Sequence, residues 1–408
     1  MNSLWRNQQF VRLCIANAIS TLSSKITTTA LPLTAAVTLN ASPQQMAMLV
    51  IAGQLPDICF GLLAGTWIDR GRHRQFLIGS DVGRALTLGC IPLFAFLGQL
   101  NLNILFAVAF ISGSLTVFSS VATVAVLPSL VQSSQLIAAN ARLSTTSTVM
   151  TLVSPGLAGA VIQLVSAPKA ILVDAVSFLA SAMTKRGIGS TVMSRSTRRS
   201  TVNETLEGLK ELVSTPVLRS LTLSSAVFAV GLTMQATVLM LFLTRSLGLT
   251  PVMIGFVLTA GGVGAIAGSL LASHVSGFAG IGMAIIGGTL LEAIAAFAIP
   301  LSIVVPAPIV LLIAGQIVNG IGLTIYSVNQ ISLRQQIVQP ELLGRVTANR
   351  RFLTFCLAPV GAVLAGWIGS TLGLVEALIG AAIMYVAGTI VMWASPVRRV
   401  GHVSLFAA

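Results

Sequence analysis

Lys25, Asp57, Asp174, Glu292 and Glu376 each interrupt a run of apolar residues. A charge at mid-depth in hydrocarbon costs about 3 kcal/mol or more. Side chains of this kind are retained for pairing, for ion or proton traffic, or at an interface. Lys25 is the only basic residue deep inside an apolar stretch, and Asp57 lies at a matching depth on the next one. The two are expected to pair, and two roles stay open. The pair is a static salt bridge, or protonation of Asp57 releases Lys25 and acts as a switch. Glu292 is a second candidate proton carrier, with packing or lipid contact as its rival reading. Asp174 is expected to pair with Lys169 near one surface, and Glu376 to be interfacial.

Uncharged polar residues form a second pattern. At about 100° per residue, Gln316, Asn319, Tyr326, Ser327, Gln330 and Arg334 share one arc of a helix. Asn17, Ser20, Ser24 and Thr28 do the same in an earlier segment, as do Ser112, Thr116, Ser119 and Thr123. A weaker row holds Ser224, Gly231 and Gln235. A polar stripe on an apolar helix lines a wet path or glues helices together. The Gln316–Arg334 row, with two amides and a tyrosine, favours the path. The Ser112–Thr123 row fits either reading.

The elements that position these residues follow from composition. Of 408 residues, 55% are hydrophobic and 8% charged, against about 25% charged in soluble domains. The chain therefore reads as an all-α polytopic membrane protein. Breaks at Gly, Pro, Asn and charged clusters divide it into twelve spans: 11–38, 46–68, 76–98, 103–126, 138–164, 168–184, 218–243, 251–273, 281–304, 308–332, 346–369 and 373–395. The domains are then an N-terminal six-helix bundle (1–184), a central loop (185–217), a C-terminal six-helix bundle (218–397) and a tail (398–408). The central loop contains an acidic-basic stretch that fits a short surface helix. The apolar part of the N-terminus reads as a retained span, not a cleaved signal.

The net charge of +13 would suggest nucleic acid in a soluble chain. Here the basic residues cluster at alternate loops. With the N-terminus inside, the cytoplasmic side collects nearly all arginines, and both termini are cytoplasmic by the positive-inside rule. Four scattered cysteines and three scattered histidines form no metal or disulfide pattern. No P-loop is present. No enzymatic constellation, cofactor or metal is expected.

The halves echo each other. "GLLAGTWIDR" (61–70) aligns with "GAIAGSLLAS" (264–273), and "SPGLAG" (154–159) with "APVGAVLAG" (358–366). "LVQSSQLI" (130–137) matches "QIVQPELL" (336–343) in hydrophobic pattern. Duplication of a six-helix unit is a transporter design that places the path where the repeats meet.

Several of these segments resemble the major facilitator superfamily. Gly65, Asp69, Arg70 and Arg74 match its G-x-x-x-D-R-x-x-R-R loop, with His73 at a position where a basic residue is usual. "LPSLVQSSQLIAANA", "ILVDAVSFLASA" and "PELLGRV" are similar to the efflux branch that contains macrolide-type drug exporters and siderophore exporters. The resemblance implies twelve helices in two pseudo-symmetric bundles and alternating access. It also implies a gate or latch involving Gly65, Asp69, Arg70, Arg74, Arg142 and Arg345. In that latch Asp69 would face the helix N-terminus near Gly344–Val346, where unpaired N–H groups favour an anion. The charges alternatively only enforce topology. The substrate candidates are Asn17, Ser20, Ser24, Thr28, Thr116, Ser119, Gln235, Gln316, Asn319, Tyr326, Gln330 and Arg334. The expected work is proton-coupled export of a small amphipathic organic compound at an inner membrane. Expected partners are the lipid bilayer, the substrate and protons, with no nucleic acid, and the chain is expected to act as a monomer. The rival readings are a siderophore or metabolite exporter, a lipid or lysolipid flippase, and a non-transporting receptor or scaffold. A siderophore cargo would call for a basic cavity, for which Lys25, Arg142 and Arg334 are the candidates.

Overall fold

The computed structural model of the chain describes residues 3–61, 73–132, 135–188 and 201–401. The latch residues Gly65, Asp69 and Arg70 lie outside the described residues. Among the described residues there is no strand, and twelve long helices account for most of the chain. In the first half they are α1 (Gln8–Leu33), α2 (Pro43–Phe60), α3 (His73–Phe96), α4 (Leu102–Leu130), α5 (Leu136–Val165) and α6 (Ala167–Lys185). A shorter amphipathic helix, α7 (Thr201–Ser214), follows. The second half holds α8 (Pro216–Leu241), α9 (Pro251–Ala279), α10 (Ile281–Leu301), α11 (Pro308–Ile337), α12 (Pro340–Thr371) and α13 (Leu374–Trp393).

Ten of the twelve are long and apolar enough to cross a membrane. The exceptions are α1, with its Ser/Thr/Lys run at 23–29, and α2, with Gln44, Gln45, Gln54 and Asp57. Several helices outrun the expected spans: α9 continues to Ala279, α11 to Ile337, and α12 begins at Pro340. Hydropathy measures the apolar slab, whereas the hydrogen-bond ladder continues into polar sequence. Starts are marked by chemistry that suits unpaired N–H groups. Asn7 caps α1 by accepting from the Gln9 and Phe10 amides, and Asn101 caps α4 by accepting from Ile104 N at 3.1 Å. Pro216, Pro308 and Pro340 occupy first helical positions.

Two compact units result. Unit 1 contains Met1–Ala41, Ile51–Ser196 and Thr250–Gly255; unit 2 contains Ser42–Val50, Thr197–Leu249 and Phe256–Ala408. In unit 1, α6 packs on α1 and α3. Phe10, Leu13, Leu77, Val126 and Ala139 are among the buried residues that form its main apolar cluster. In unit 2, α10 is held between α11 and α13, and α8 between α12 and α13. Gly264 and Gly320 permit a close crossing of α9 on α11. A Cβ at Gly264 would overlap the Ile317 carbonyl, and one at Gly320 the Gly261 carbonyl. Leu212 of α7 is buried with Leu218, Val338 and Val346, which seats the surface helix at the start of α8 and α12.

The internal repeat is written most clearly in backbone geometry. α1 ends in a π-turn, Thr34–Thr38, and α8 ends in another, Phe242–Ser246. Leu39 N bonds Thr34 O at 3.1 Å, and Leu247 N bonds Phe242 O at 3.2 Å. A left-handed residue follows each, Asn40 (φ 51°) and Gly248 (φ 61°). Then Ala41 N reaches Ala35 O at 2.9 Å, and Leu249 N reaches Leu243 O at 2.9 Å. Proline opens the next helix in both cases, at Pro43 and Pro251.

Candidate functional site

Unit 1 buries its charges in pairs. On α6 the residues Asp174, Phe178, Ser181 and Lys185 recur at intervals of four, three and four, so they share one face. All four are buried. On α3, Asp81 and Arg84 are three apart and equally enclosed, at 0% and 2% exposure. Asp81 Oδ1 accepts from Arg84 Nη2 at 2.6 Å, while Oδ2 accepts from Lys185 Nζ at 2.7 Å and from Ser181 Oγ at 2.6 Å. Arg84 donates further to Ser20 Oγ at 3.0 Å, Ser24 Oγ at 3.2 Å and Ser119 Oγ at 3.2 Å, and lies 4.2 Å over the Phe178 ring. Asp174 accepts from Thr27 Oγ1, and its Oδ1 is buried without a partner. One carboxylate and two cations thus share one buried network, with Asp174 on the same face of α6 as Lys185.

Unit 2 is built differently. Glu292, on α10, is 5% exposed, and its Oε1 is buried without a hydrogen-bond partner. No ion pair reaches it among the described residues. Its surroundings are aromatic: Phe228, Tyr385 and Tyr326 meet nearby, with Phe228 stacked on Tyr326 at 6.2 Å and edge-on to Tyr385 at 5.2 Å. Gly322 lets α11 approach α10 here, since a Cβ would meet Leu291 Cβ and Glu292 N.

Toward the end where α8 and α12 begin, Tyr326 Oη lies 2.8 Å from Ser225 Oγ. Arg350 Nη1 donates to the same Ser225 oxygen at 3.0 Å, while Ser225 donates to Leu221 O at 2.7 Å. Arg334 lies near enough for its charge and that of Arg350 to repel. Arg334 is 7% and Gln330 3% exposed. Arg334 Nε and Nη1, Arg350 Nε and Gln330 Nε2 are all buried donors with no acceptor. No carboxylate joins either arginine among the described residues. Farther along α11, Gln316 and Asn319 line a cavity of about 10 Å³ with Gln235 of α8 and Ala295, Ala296, Ala298 and Ile299 of α10, room for about one water.

The sequence-predicted residues are sorted accordingly. Lys25 is exposed and makes no ion pair with Asp57, which is half-buried. The expected pair is therefore not formed: matching depth on consecutive helices does not make two side chains face each other. Asp174 is not paired with exposed Lys169 either; it turns inward to Thr27. Ser20, Ser24 and Ser119 serve Arg84, and Asn17 Nδ2 donates to Ser147 Oγ at 2.8 Å. Those rows act as helix glue within unit 1. Thr28 and Thr116 bond backbone carbonyls of their own helices, Lys25 O and Ser112 O. Gln235, Gln316 and Asn319 do converge, as do Tyr326, Gln330 and Arg334. Of the gate residues, Arg74 donates to Arg186 O, Arg345 pairs with Glu207 of α7, and Arg142 is half-buried on α5. Lys185 is not a loop residue but the buried end of α6. Sequence reasoning overlooked Asp81 and set Arg84 and Arg350 aside as topological charge. The signal for the first two was available: an acid and a base three apart inside an apolar span.

The family described as "transmembrane secretion effector" matches residues 3–407. An uncharacterised MFS-type transporter, YfiS of Bacillus subtilis (strain 168), is 25% identical over 388 residues, 90% of each chain. Among solved structures, the nucleoside transporter NupG superposes with a TM-score of 0.73 at 13% identity, covering 97% of this chain and 98% of that one. A bacterial homologue of the iron transporter ferroportin, in an inward-facing state, gives 0.74 at 15% identity over 96% and 99%. At such identities the structures speak for fold, and the family match speaks for kinship. With its two units of long apolar helices, this chain has the major facilitator fold, is a multi-pass membrane transporter, and belongs to the transmembrane secretion effector family.

Proposed function

We propose that the chain is a proton-coupled secondary exporter of a small organic compound, working by alternating access, with its termini on the cytoplasmic side of the cell membrane. The observation that carries the coupling is Glu292, a buried carboxylate with no ion pair among the described residues and with Oε1 unpartnered, next to Ala293 of the Phe228–Tyr385 cluster. A permanently charged carboxylate there would be costly, whereas one that takes and releases a proton gains a role from that cost. Proton binding from outside and release inside, opposite to cargo movement, is the exchange step. The family's description as a secretion effector supports the outward direction.

The test is flux in vesicles. Purified protein is reconstituted with an imposed pH gradient, and a panel of small fluorescent compounds is followed. Transport should stop when the gradient is collapsed, and Glu292→Gln should lose gradient-driven flux while keeping exchange of cargo between the two sides. Gradient-driven flux that persists in Glu292→Gln removes Glu292 from coupling, and absence of flux under every ion gradient removes the exporter reading.

A further inference from the structure

We infer that Arg334, Arg350, Gln330 and Tyr326 form an oxyanion subsite, and that the cargo presents a carboxylate or phosphate group to it. The inference deepens the exporter reading and rests on it for the word cargo; the binding itself does not require transport.

Arginine keeps its charge in proteins, so burying one without an acid is expensive unless something else supplies the counter-charge. Unit 2 holds two such arginines close together, Arg334 buried and Arg350 half-buried. Their unused donors are specific: Arg334 Nε and Nη1, and Arg350 Nε. Gln330 Nε2 adds a third side chain with an unused donor, and Gln330 and Arg334 lie one turn apart on α11. Nε and Nη1 lie on opposite edges of the Arg334 guanidinium, so each offers a separate charged donor to a carboxylate or phosphate oxygen. Arg350 is already anchored through Ser225 to Tyr326, which leaves its Nε for the ligand.

The contrast within the same chain shows that this is not a general habit. Arg84 is more deeply buried and has a carboxylate: it donates to Asp81, Ser20, Ser24 and Ser119 and leaves only Nε unused. Tyr326 is tied through Ser225 to Arg350 and lies two turns before Arg334 on α11. A bound oxyanion therefore sits between the cations, with the proposed proton carrier on the adjoining helix. Arg350, being only half-buried, marks the side from which the ligand arrives.

Binding to the full chain in neutral phosphatidylcholine nanodiscs is the test, read by calorimetry with benzoate, citrate and inorganic phosphate. Benzamide, the neutral isostere of benzoate, is the control. At least one anion should bind, with affinity falling as salt rises, and benzamide should not. Arg334→Gln and Arg350→Gln should each weaken that binding about tenfold or more. Arg334→Lys, which keeps charge but loses the planar array of donors, should weaken it less than Arg334→Gln and covers the case in which the glutamine variant does not fold. Equal binding of benzoate and benzamide, unchanged affinity in the variants, or no response to any anion overturns the subsite. Protection by phosphatidylglycerol with no response to soluble anions assigns the site to lipid and overturns the cargo assignment. Vesicle flux that survives any of these results leaves the exporter reading standing without the subsite. Anion binding without flux does the reverse.

Discussion

The two units spend their buried charges in opposite ways. In unit 1, Asp81 takes both Arg84 and Lys185, with Ser181 beside them, and single atoms are left over, Arg84 Nε and Asp174 Oδ1. In unit 2, Glu292 and Arg334 are buried and Arg350 is half-buried, and none has an opposite charge paired to it among the described residues. A charge-paired network fixes helices to one another. Charges without a counter-charge retain free energy that a proton or an anion can collect on arrival. Unit 1 reads as the scaffold and unit 2 as the half that holds the chemistry.

The largest blow to this contrast is aimed at unit 1. Asp81→Asn leaves Arg84 and Lys185 buried without a counter-charge and should cost about 3–5 kcal/mol. A steep fall in the thermal unfolding midpoint in detergent is the expected reading, and a midpoint close to wild type would erase the difference between the units. Arg334→Gln and Arg350→Gln come next in what they decide, although the stability change is small. Each removes an arginine with no carboxylate partner, so the midpoint should stay within about 1 kcal/mol of wild type, or rise. A loss as large as that of Asp81→Asn would mean that these arginines hold the unit together. The last test concerns the matched turns. Gly248 has open space where a Cβ would go, so Gly248→Ala tests backbone alone and should cost about 1 kcal/mol. Gly248→Asn should be milder, because Asn40 already occupies the equivalent left-handed position in unit 1.

The architecture was readable because apolar length and turn residues are local properties. Twelve segments and a surface helix before the second half could be drawn from hydropathy and punctuation. The π-turns could not, since nothing in "LPLTAAVTLN" or "LMLFLTRSLG" announces a wider hydrogen-bond ring. The site was readable only where one helix carried the pattern. The Gln316–Arg334 row placed Tyr326, Gln330 and Arg334 together because periodicity alone decides which residues share a face. Pairing between helices depends on rotation about each helix axis, which the sequence does not state. Lys25 and Asp57 have the right depth and the wrong facing. Asp81 has its acid-base spacing within α3, yet its second cation comes from the end of α6, at Lys185, a residue that hydropathy assigns to a loop.

The wide turns that close α1 and α8 carry a date. A π-turn is an α-helix with one residue too many, and the surplus costs some regularity of the ladder. Finding the surplus residue at the same place in both units, followed by the same left-handed step and the same proline, points to one event rather than two. A single unit that already held the extra residue, copied once, accounts for both turns with one step. Removing one residue from each turn should restore a regular α-helical ladder.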